Sequence, residues 1–433
     1  MKAESVKIAV FGLGYVGLPL AIEFAKHFHT VGYDKSEGRI GELSRSFDTT
    51  RETSAQTISE ALKPNGNDGT KGLYLTANAA ECADCNIFIV TVPTPIDESK
   101  KPDLSSLKFA TSQIGNMLKV GDIVIYESTT YPGCTEEVCA PLLAQTSGLI
   151  YNKDFFVGYS PERINPGDKI NTLTTIVKLT SGSTPEVSEF VDQLYKRIVQ
   201  AGTHQTSSIK VAESAKAIEN AQRDVNISFV NELAIIFEKI GIDTTEVLEA
   251  AATKWNFLKY KPGLVGGHCI GVDPYYLAYK AEQVGYIPDV ILSGRRVNDQ
   301  MAAFIANKVV KMMVAKDIQL KGSESLILGI TFKENCADIR NTKVVDIYRE
   351  LTDFGSAVTI YDPWANKAEV ERQYGISILT EPSQLENLKF NAIILATAHQ
   401  EFLTLDLEAL KHNPCVVYDC KSMFAKDDVD ARL

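Results

Sequence analysis

The chain has 433 residues, two to three times the usual domain size, so two or three domains are expected and a lone small binding module is excluded. Hydrophobic residues make up 45% and charged residues 23%, which sets it apart from disordered chains and membrane bundles. The balance of 44 Lys+Arg against 55 Asp+Glu gives a net charge of −11, which argues against general affinity for nucleic acid or an anionic membrane. Any phosphate would have to be bound locally.

In chain order, β-branched runs at 6–11, 30–34, 86–92 and 122–126 alternate with helical stretches, the pattern of a parallel sheet built from βαβ units. Residues 8–22 carry no charge and follow Lys2 and Lys7, as in a signal peptide, but Gly12, Gly14, Gly17 and Pro19 interrupt that run. Apolar residues spaced by three, four or seven from 208 to 240, without Pro or Gly, predict one helix of roughly 30 residues. It is expected to join two halves and offer a dimer surface; a core helix within one domain is the alternative. Runs at 325–332, 357–362, 391–397 and 415–419 repeat the opening theme. The expected fold is α/β, with two Rossmann-like doubly wound domains, 1–200 and 306–433, joined by a central helical domain, 201–305. No stretch reaches the roughly 18 apolar residues of a membrane span. Eight irregularly spaced cysteines are too few for a disulfide scaffold and suggest a reducing cytoplasm. The pair Cys82 and Cys85 has no partner at zinc spacing and is expected to be structural, with a redox or metal site as the alternative.

Five constellations carry chemistry. Gly12-Leu13-Gly14-Tyr15-Val16-Gly17 follows the first strand and opens a helix, where glycines allow a tight turn and close approach to a pyrophosphate. Asp34 ends the next strand, placed to hold adenosine ribose hydroxyls and repel a 2′-phosphate, so NAD is expected; Arg39 keeps NADP open. Thr91, Pro93 and Thr94 follow one strand, and Ser128 and Thr129 another, at the edge where cofactors bind. Glu162 and Arg163 follow a further strand, and a glutamate there suits a proton acceptor. Lys216 and Asn220, four apart on the long helix, share a face and suit an oxyanion, although such pairs are mostly solvated surface. In 262–274, paired glycines precede Cys269, and Asp273 lies four residues on. This suggests covalent capture of an aldehyde by the thiol, against the common role of cysteine as a small buried hydrophobe; His268 is expected to be structural. Finally Lys333 and Arg340 offer cations for a diphosphate, or form a surface ion pair.

Gly-Gly-His-Cys-Ile-Gly-Val-Asp-Pro at 266–274, with Phe-Lys-Glu-Asn at 332–335 and Asp-Ile-Arg at 338–340, resembles the UDP-glucose/GDP-mannose dehydrogenase family over nearly the whole chain. The segments 160–167 and 261–267 are most similar to its bacterial UDP-N-acetylhexosamine 6-dehydrogenases of surface polysaccharide synthesis. The resemblance implies four-electron oxidation of a sugar C6 alcohol to a carboxylate, with two NAD and one water, in a cytoplasmic homodimer or larger homo-oligomer. It implies no metal. By it Cys269 forms a thiohemiacetal and then a thioester, Asp273 and Lys216 handle water and protons, and Lys216 with Asn220 steadies the oxyanion. Thr129 and Glu162 place the water. Arg163, Asn165, Tyr260, Gly266, Arg296, Phe332 and Lys333 join the substrate contacts, and Arg340 those of the cofactor. One departure stands out: Pro166 replaces a second glutamate usual in enzymes acting on UDP-glucose, which fits room beside an N-acetylated C2 but removes a carboxylate. The rivals are a UDP-glucose 6-dehydrogenase, a two-electron β-hydroxyacid dehydrogenase, and a non-catalytic sugar-nucleotide sensor.

Overall fold

The computed structural model describes residues 6–63, 70–164, 170–267 and 270–433. The chain divides into two compact units, Met1–Glu219 with Tyr275–Tyr286, and Asn220–Pro274 with Ile287–Leu433.

The first unit is organised by short apolar runs, most of them buried on both faces as inner strands of a parallel sheet are. They are β1 Lys7–Phe11, β2 His29–Tyr33, β3 Gly72–Thr76, β4 Ile87–Val90, β5 Ile123–Tyr126 and β6 Phe156–Tyr159, followed by β7 Lys178–Gly182 and β8 Thr203–Gln205. Among the described residues these make one sheet of order β3-β2-β1-β4-β5-β6-β7-β8, parallel throughout except between β6 and β7. Its first six strands follow the doubly wound order, and the connections change direction between β1 and β4, where such sheets bind ligands outside their carboxyl ends. Ile8, Val10, Ile89 and Ile125 from the strands pack with Leu18, Ile22 and Phe24 of the helix Gly17–Ala25.

In the second unit β9 Glu324–Leu328, β10 Ala357–Tyr361, β11 Phe390–Leu395, β12 Lys411–Asp419 and β13 Ala431–Arg432 form a parallel sheet of order β10-β9-β11-β12-β13. Its change of direction falls between β9 and β11. Ile327, Ile394 and Val416 pack against Ile305, Val309 and Met313 of the helix Asp289–Ala315.

The long helix runs Ile209–Ile240, 32 residues without a break. Its first eleven residues belong to the first unit and the rest to the second. Val211, Ile218, Phe229 and Ile236 are exposed along it. No helix among the described residues is long and apolar enough to cross a membrane.

Candidate active site

The loop after β1 is built for close approach. Gly12 has φ +98°, and a Cβ added at Gly17 would lie 1.7 Å from the Gly12 carbonyl oxygen and 2.5 Å from Thr91 Oγ1. At Gly14, by contrast, nothing lies within 4 Å of such a Cβ, so the outer side of the turn is open at the N-terminus of the helix Gly17–Ala25. That is the arrangement a pyrophosphate needs, with backbone amides and the positive end of the helix dipole facing it. Leu13 N donates to Asp34 Oδ2 at 2.9 Å, and Ser36 N to Asp34 Oδ1 at 2.9 Å. Arg39, the residue that kept NADP open, is committed elsewhere: Nε donates to Leu13 O at 2.9 Å, and Nη2 pairs with buried Asp48 at 2.8 Å. A 2′-phosphate would therefore meet Asp34 while the nearby cation is already paired.

Side-chain hydrogen bonds knit the neighbouring strand ends into one edge. Thr91 Oγ1 donates to Phe11 O at 3.0 Å and Gly12 O at 2.7 Å, and Ser128 Oγ to Val92 O at 2.6 Å. Thr94 Oγ1 donates to Thr129 O at 2.7 Å, and Tyr276 Oη to Thr94 O at 2.5 Å. Tyr15 and Val16 are half-buried and Pro93 is exposed at this edge. Gly17→Ala is expected to destabilise the unit by about 1–3 kcal/mol through overpacking, and to weaken NAD binding at least about tenfold. Fluorescence titration with NAD and thermal melting check both, and wild-type affinity in this variant would refute the role given to the turn.

Beyond β6, Glu162 turns back on its own backbone: Oε1 accepts from Arg163 N and Ile164 N, each at 2.5 Å. Its buried Oε2 has no hydrogen-bond partner among the described residues and lies 3.8 Å from Lys178 Nζ. The Arg163 guanidinium pairs with Glu219 at 2.7 Å and donates to Val177 O at 2.7 Å. Lys216 is buried, unlike the solvated lysine that helical patterning makes the usual case. One turn earlier Glu213, which sequence reasoning missed, accepts from Gly133 N at 2.5 Å, Thr135 N at 2.9 Å and Thr130 Oγ1 at 3.2 Å. It ties the loop after Thr129 to the helix that carries Lys216. Burial pushes the Glu213 carboxyl up to about 6, opposed by those hydrogen bonds.

In the second unit Asn220 and Asp273 are brought together. Asn220 Nδ2 donates to Asp273 Oδ2 at 2.5 Å, and Arg223 Nη1 donates to Asn220 Oδ1 at 2.8 Å, so the amide is held at both ends. Asp273 begins the helix Asp273–Gln283, where a carboxylate meets the positive end of the dipole. Gly266 and Gly267 let their loop lie on the one that follows β9. An added Cβ would come 2.6 Å from Asn341 O at the first and 2.8 Å from the Phe332 ring at the second, whose φ is +86°. Arg340 is engaged within its own loop: its Nε and Nη2 both bond the Asp338 carboxylate at 2.5–3.0 Å, the ion-pair alternative. Lys333 is half-buried. Tyr260 lines a cavity of about 180 Å³ with Phe257 and Pro262, and Lys259, Lys261 and Lys421 also line it. Arg296 is exposed, whereas its neighbour Arg295 is buried. Asn165, Pro166, His268 and Cys269 lie outside the described residues. Cys82 and Cys85 are buried, and burial pushes Cys85 up to about 12 and Cys82 higher still, which suits packing better than thiolate chemistry.

Three family models match in succession: the NAD binding domain of the UDP-glucose/GDP-mannose dehydrogenase family at 6–199, its central domain at 210–300 and its UDP binding domain at 326–426. The chain belongs to that family. As a member of it, the protein is an NAD-binding oxidoreductase of the nucleotide-sugar dehydrogenase type, and the turn at Gly12–Gly17, open at Gly14 and bonded through Leu13 N to Asp34, fits that cofactor. It is 53% identical to UDP-N-acetyl-D-glucosamine 6-dehydrogenase of Pseudomonas aeruginosa, over 99% of this chain and 100% of the other. It is 50% identical to the Salmonella typhi enzyme of the same name, over 99% of each. Among solved structures, a UDP-D-ManNAc dehydrogenase from Pyrococcus horikoshii superposes with TM-score 0.86 at 29% identity, covering 99% of this chain and 98% of that one. The family's NAD domain contains the knitted edge of β1, β4 and β5, and its UDP domain contains β10 to β12 and the end of β9.

Proposed function

We propose that this dehydrogenase oxidises the C6 alcohol of UDP-N-acetylglucosamine, or of its C4 epimer UDP-N-acetylgalactosamine, to the uronic acid through covalent intermediates on Cys269. Full-length identity of 50% and more to enzymes named for UDP-N-acetyl-D-glucosamine supports this reading above all else. NAD, when bound, accepts a hydride in each of two oxidations. The chain's own residues do the rest. The Cys269 sulfur adds to the C6 aldehyde, a C–S bond forms, and Lys216 and Asn220 stabilise the oxygen that gains negative charge. Asn220, fixed by Arg223 and Asp273, supplies its amide without reorganisation. After the second oxidation, water attacks the thioester carbon, a C–O bond forms, and the C–S bond breaks to return the thiolate. Thr129 and Glu162 hold that water, and Glu162 takes its proton at Oε2, the buried oxygen without a hydrogen bond among the described residues. Asp273 with Lys216 relays protons. With Pro166 at the position of a second glutamate, Glu162 does this alone. Arg163, Asn165, Tyr260, Gly266, Arg296, Phe332 and Lys333 bind the sugar nucleotide, and Arg340 reaches the cofactor. The enzyme works in the cytoplasm as a homodimer or larger assembly, and its product feeds capsule or O-antigen synthesis.

The test is a panel of UDP-GlcNAc, UDP-GalNAc and UDP-glucose with NADH counted per sugar. Two NADH per N-acetylhexosamine are expected; one NADH, or a preference for UDP-glucose, would overturn the reading. Cys269→Ser is expected to cut uronate formation by about 10³-fold or more, the scale seen when a nucleophile is lost, and unimpaired formation would remove Cys269 from the mechanism.

A further inference from the structure

Behind Glu162 lies a buried charge cluster that the reaction scheme does not use. Lys178 opens β7 with its side chain 1% exposed, and Nζ donates to Glu127 Oε2 at 2.5 Å and to Pro161 O at 3.0 Å. Pro161 immediately precedes Glu162, whose Oε2 is the 3.8 Å neighbour of the same ammonium. Glu127 follows β5 and precedes Ser128 and Thr129; its other oxygen accepts from Tyr195 Oη, and Lys178 lies over the Tyr195 ring at 5.5 Å from the centroid. Among the described residues, Glu127, Lys178, Glu162 and Tyr195 are the titratable groups facing one another here, since the Arg163 guanidinium is turned to Glu219 and Val177.

We propose that Lys178 and Glu127 are positioning residues for Glu162: one buried cation is shared by two carboxylates, and its charge holds the Glu162 carboxylate in place, with Oε2 turned to the hydrolytic water. This rests on the role proposed above for Glu162. A cluster of one cation and two carboxylates in a dry site carries one negative charge too many, so the carboxylates compete for Lys178. Burial, with the nearby Glu162 charge adding to it, pushes Glu127 up to about 7 despite Lys178. The charge on Glu127 therefore opposes the charge that Glu162 needs, and Lys178 sets the balance. A lysine placed only to anchor Glu127 would have no second carboxylate oxygen 3.8 Å away that lacks a hydrogen bond among the described residues.

The full-length enzyme with NAD tests this through the pH dependence of kcat. Glu127→Gln keeps one acceptor oxygen for Lys178, turns its amide NH2 to Tyr195 Oη, which can accept, and removes one negative charge, leaving the cation to Glu162. The acid limb is expected to move about one pH unit lower, with KM for the sugar nucleotide within about twofold of wild type. Lys178→Met is expected to move the limb higher or to cost about 10²-fold in kcat, with Lys178→Arg recovering most of the loss. Should Lys178→Met fail to fold, Glu127→Gln decides alone, and an acid limb coincident with wild type overturns the proposal. If wild type itself yields no uronic acid, it is the role of Glu162 that fails; if wild type yields it and the limbs coincide, only the role of Lys178 and Glu127 fails.

Discussion

Arg295→Met is expected to destabilise the second unit by about 3–5 kcal/mol, because it strands a carboxylate in the interior. Arg295 Nη1 donates to Asp224 Oδ1 at 2.6 Å, and both side chains are essentially closed to solvent. Burial pushes the Asp224 carboxyl up, and Arg295 with Asn298 pulls it back. Asn298 Nδ2 donates to the same Oδ1 at 2.7 Å, and its own Oδ1 accepts from Asn231 Nδ2 at 2.8 Å. Asn231 in turn brackets Gly263, donating to its carbonyl at 3.0 Å and accepting from its N–H at 2.8 Å. The network thus runs from the long helix through the helix Asp289–Ala315 to the backbone three residues before Gly266. A methionine replaces the aliphatic stem of arginine but supplies neither charge nor donor. Urea unfolding of the full chain measures the loss. The double variant Arg295→Met, Asp224→Leu is expected to regain most of it, since an apolar pair can replace a buried ion pair of similar volume. A single variant within about 1 kcal/mol of wild type would contradict the account.

What the sequence made legible was local. The turn at 12–17, Asp34 at the end of β2, and the helix Ile209–Ile240 each declare themselves within about thirty residues, by glycine spacing or by apolar period. The repeated strand runs of the two α/β parts were visible for the same reason. The strands β3, β7 and β8 were not: Gly72–Thr76 is only partly buried, Lys178–Gly182 opens with a charge, and Thr203–Gln205 is short and polar. Buried polar partners were beyond reach altogether. Arg295 and Asp224 lie 71 residues apart, Glu213 and Gly133 lie 80 apart, and Lys178 and Glu127 lie 51 apart, and no local pattern connects such pairs. A lysine between Val177 and Leu179 at the head of a strand was the one available signal, because an unpaired ammonium is too costly to bury. For Arg340 the residues allowed either a diphosphate ligand or an ion pair, and the fold adds a bond to Asp338, two positions away. For Lys216 and Asn220 the helical pattern favoured solvent, and tertiary burial overrode it.

Asn220→Ala is expected to lower kcat by about 10²–10³-fold while changing KM little, because a preorganised donor acts on charge that develops only in the transition state. Its amide is oriented from two sides, by Asp273 at one end and Arg223 at the other, so the substitution removes a fixed dipole rather than a mobile one. Lost orientation of Asp273 adds to the effect, and thermal melting separates this from general unfolding. Asn220→Asp sharpens the test. It keeps the shape of the side chain but faces Asp273 with a second carboxylate at a separation of 2.5 Å in the native pair, where like charges in a buried site retain one proton between them. At low pH that shared proton restores a donor; as pH rises it is lost and the two charges repel. The aspartate variant is therefore expected to keep its best turnover at lower pH than wild type and to fall off on the alkaline side, whereas the alanine variant is depressed at every pH. Steady-state NADH formation at saturating sugar nucleotide across the pH range distinguishes them. Parallel profiles for the two variants would show that Asn220 acts by packing alone.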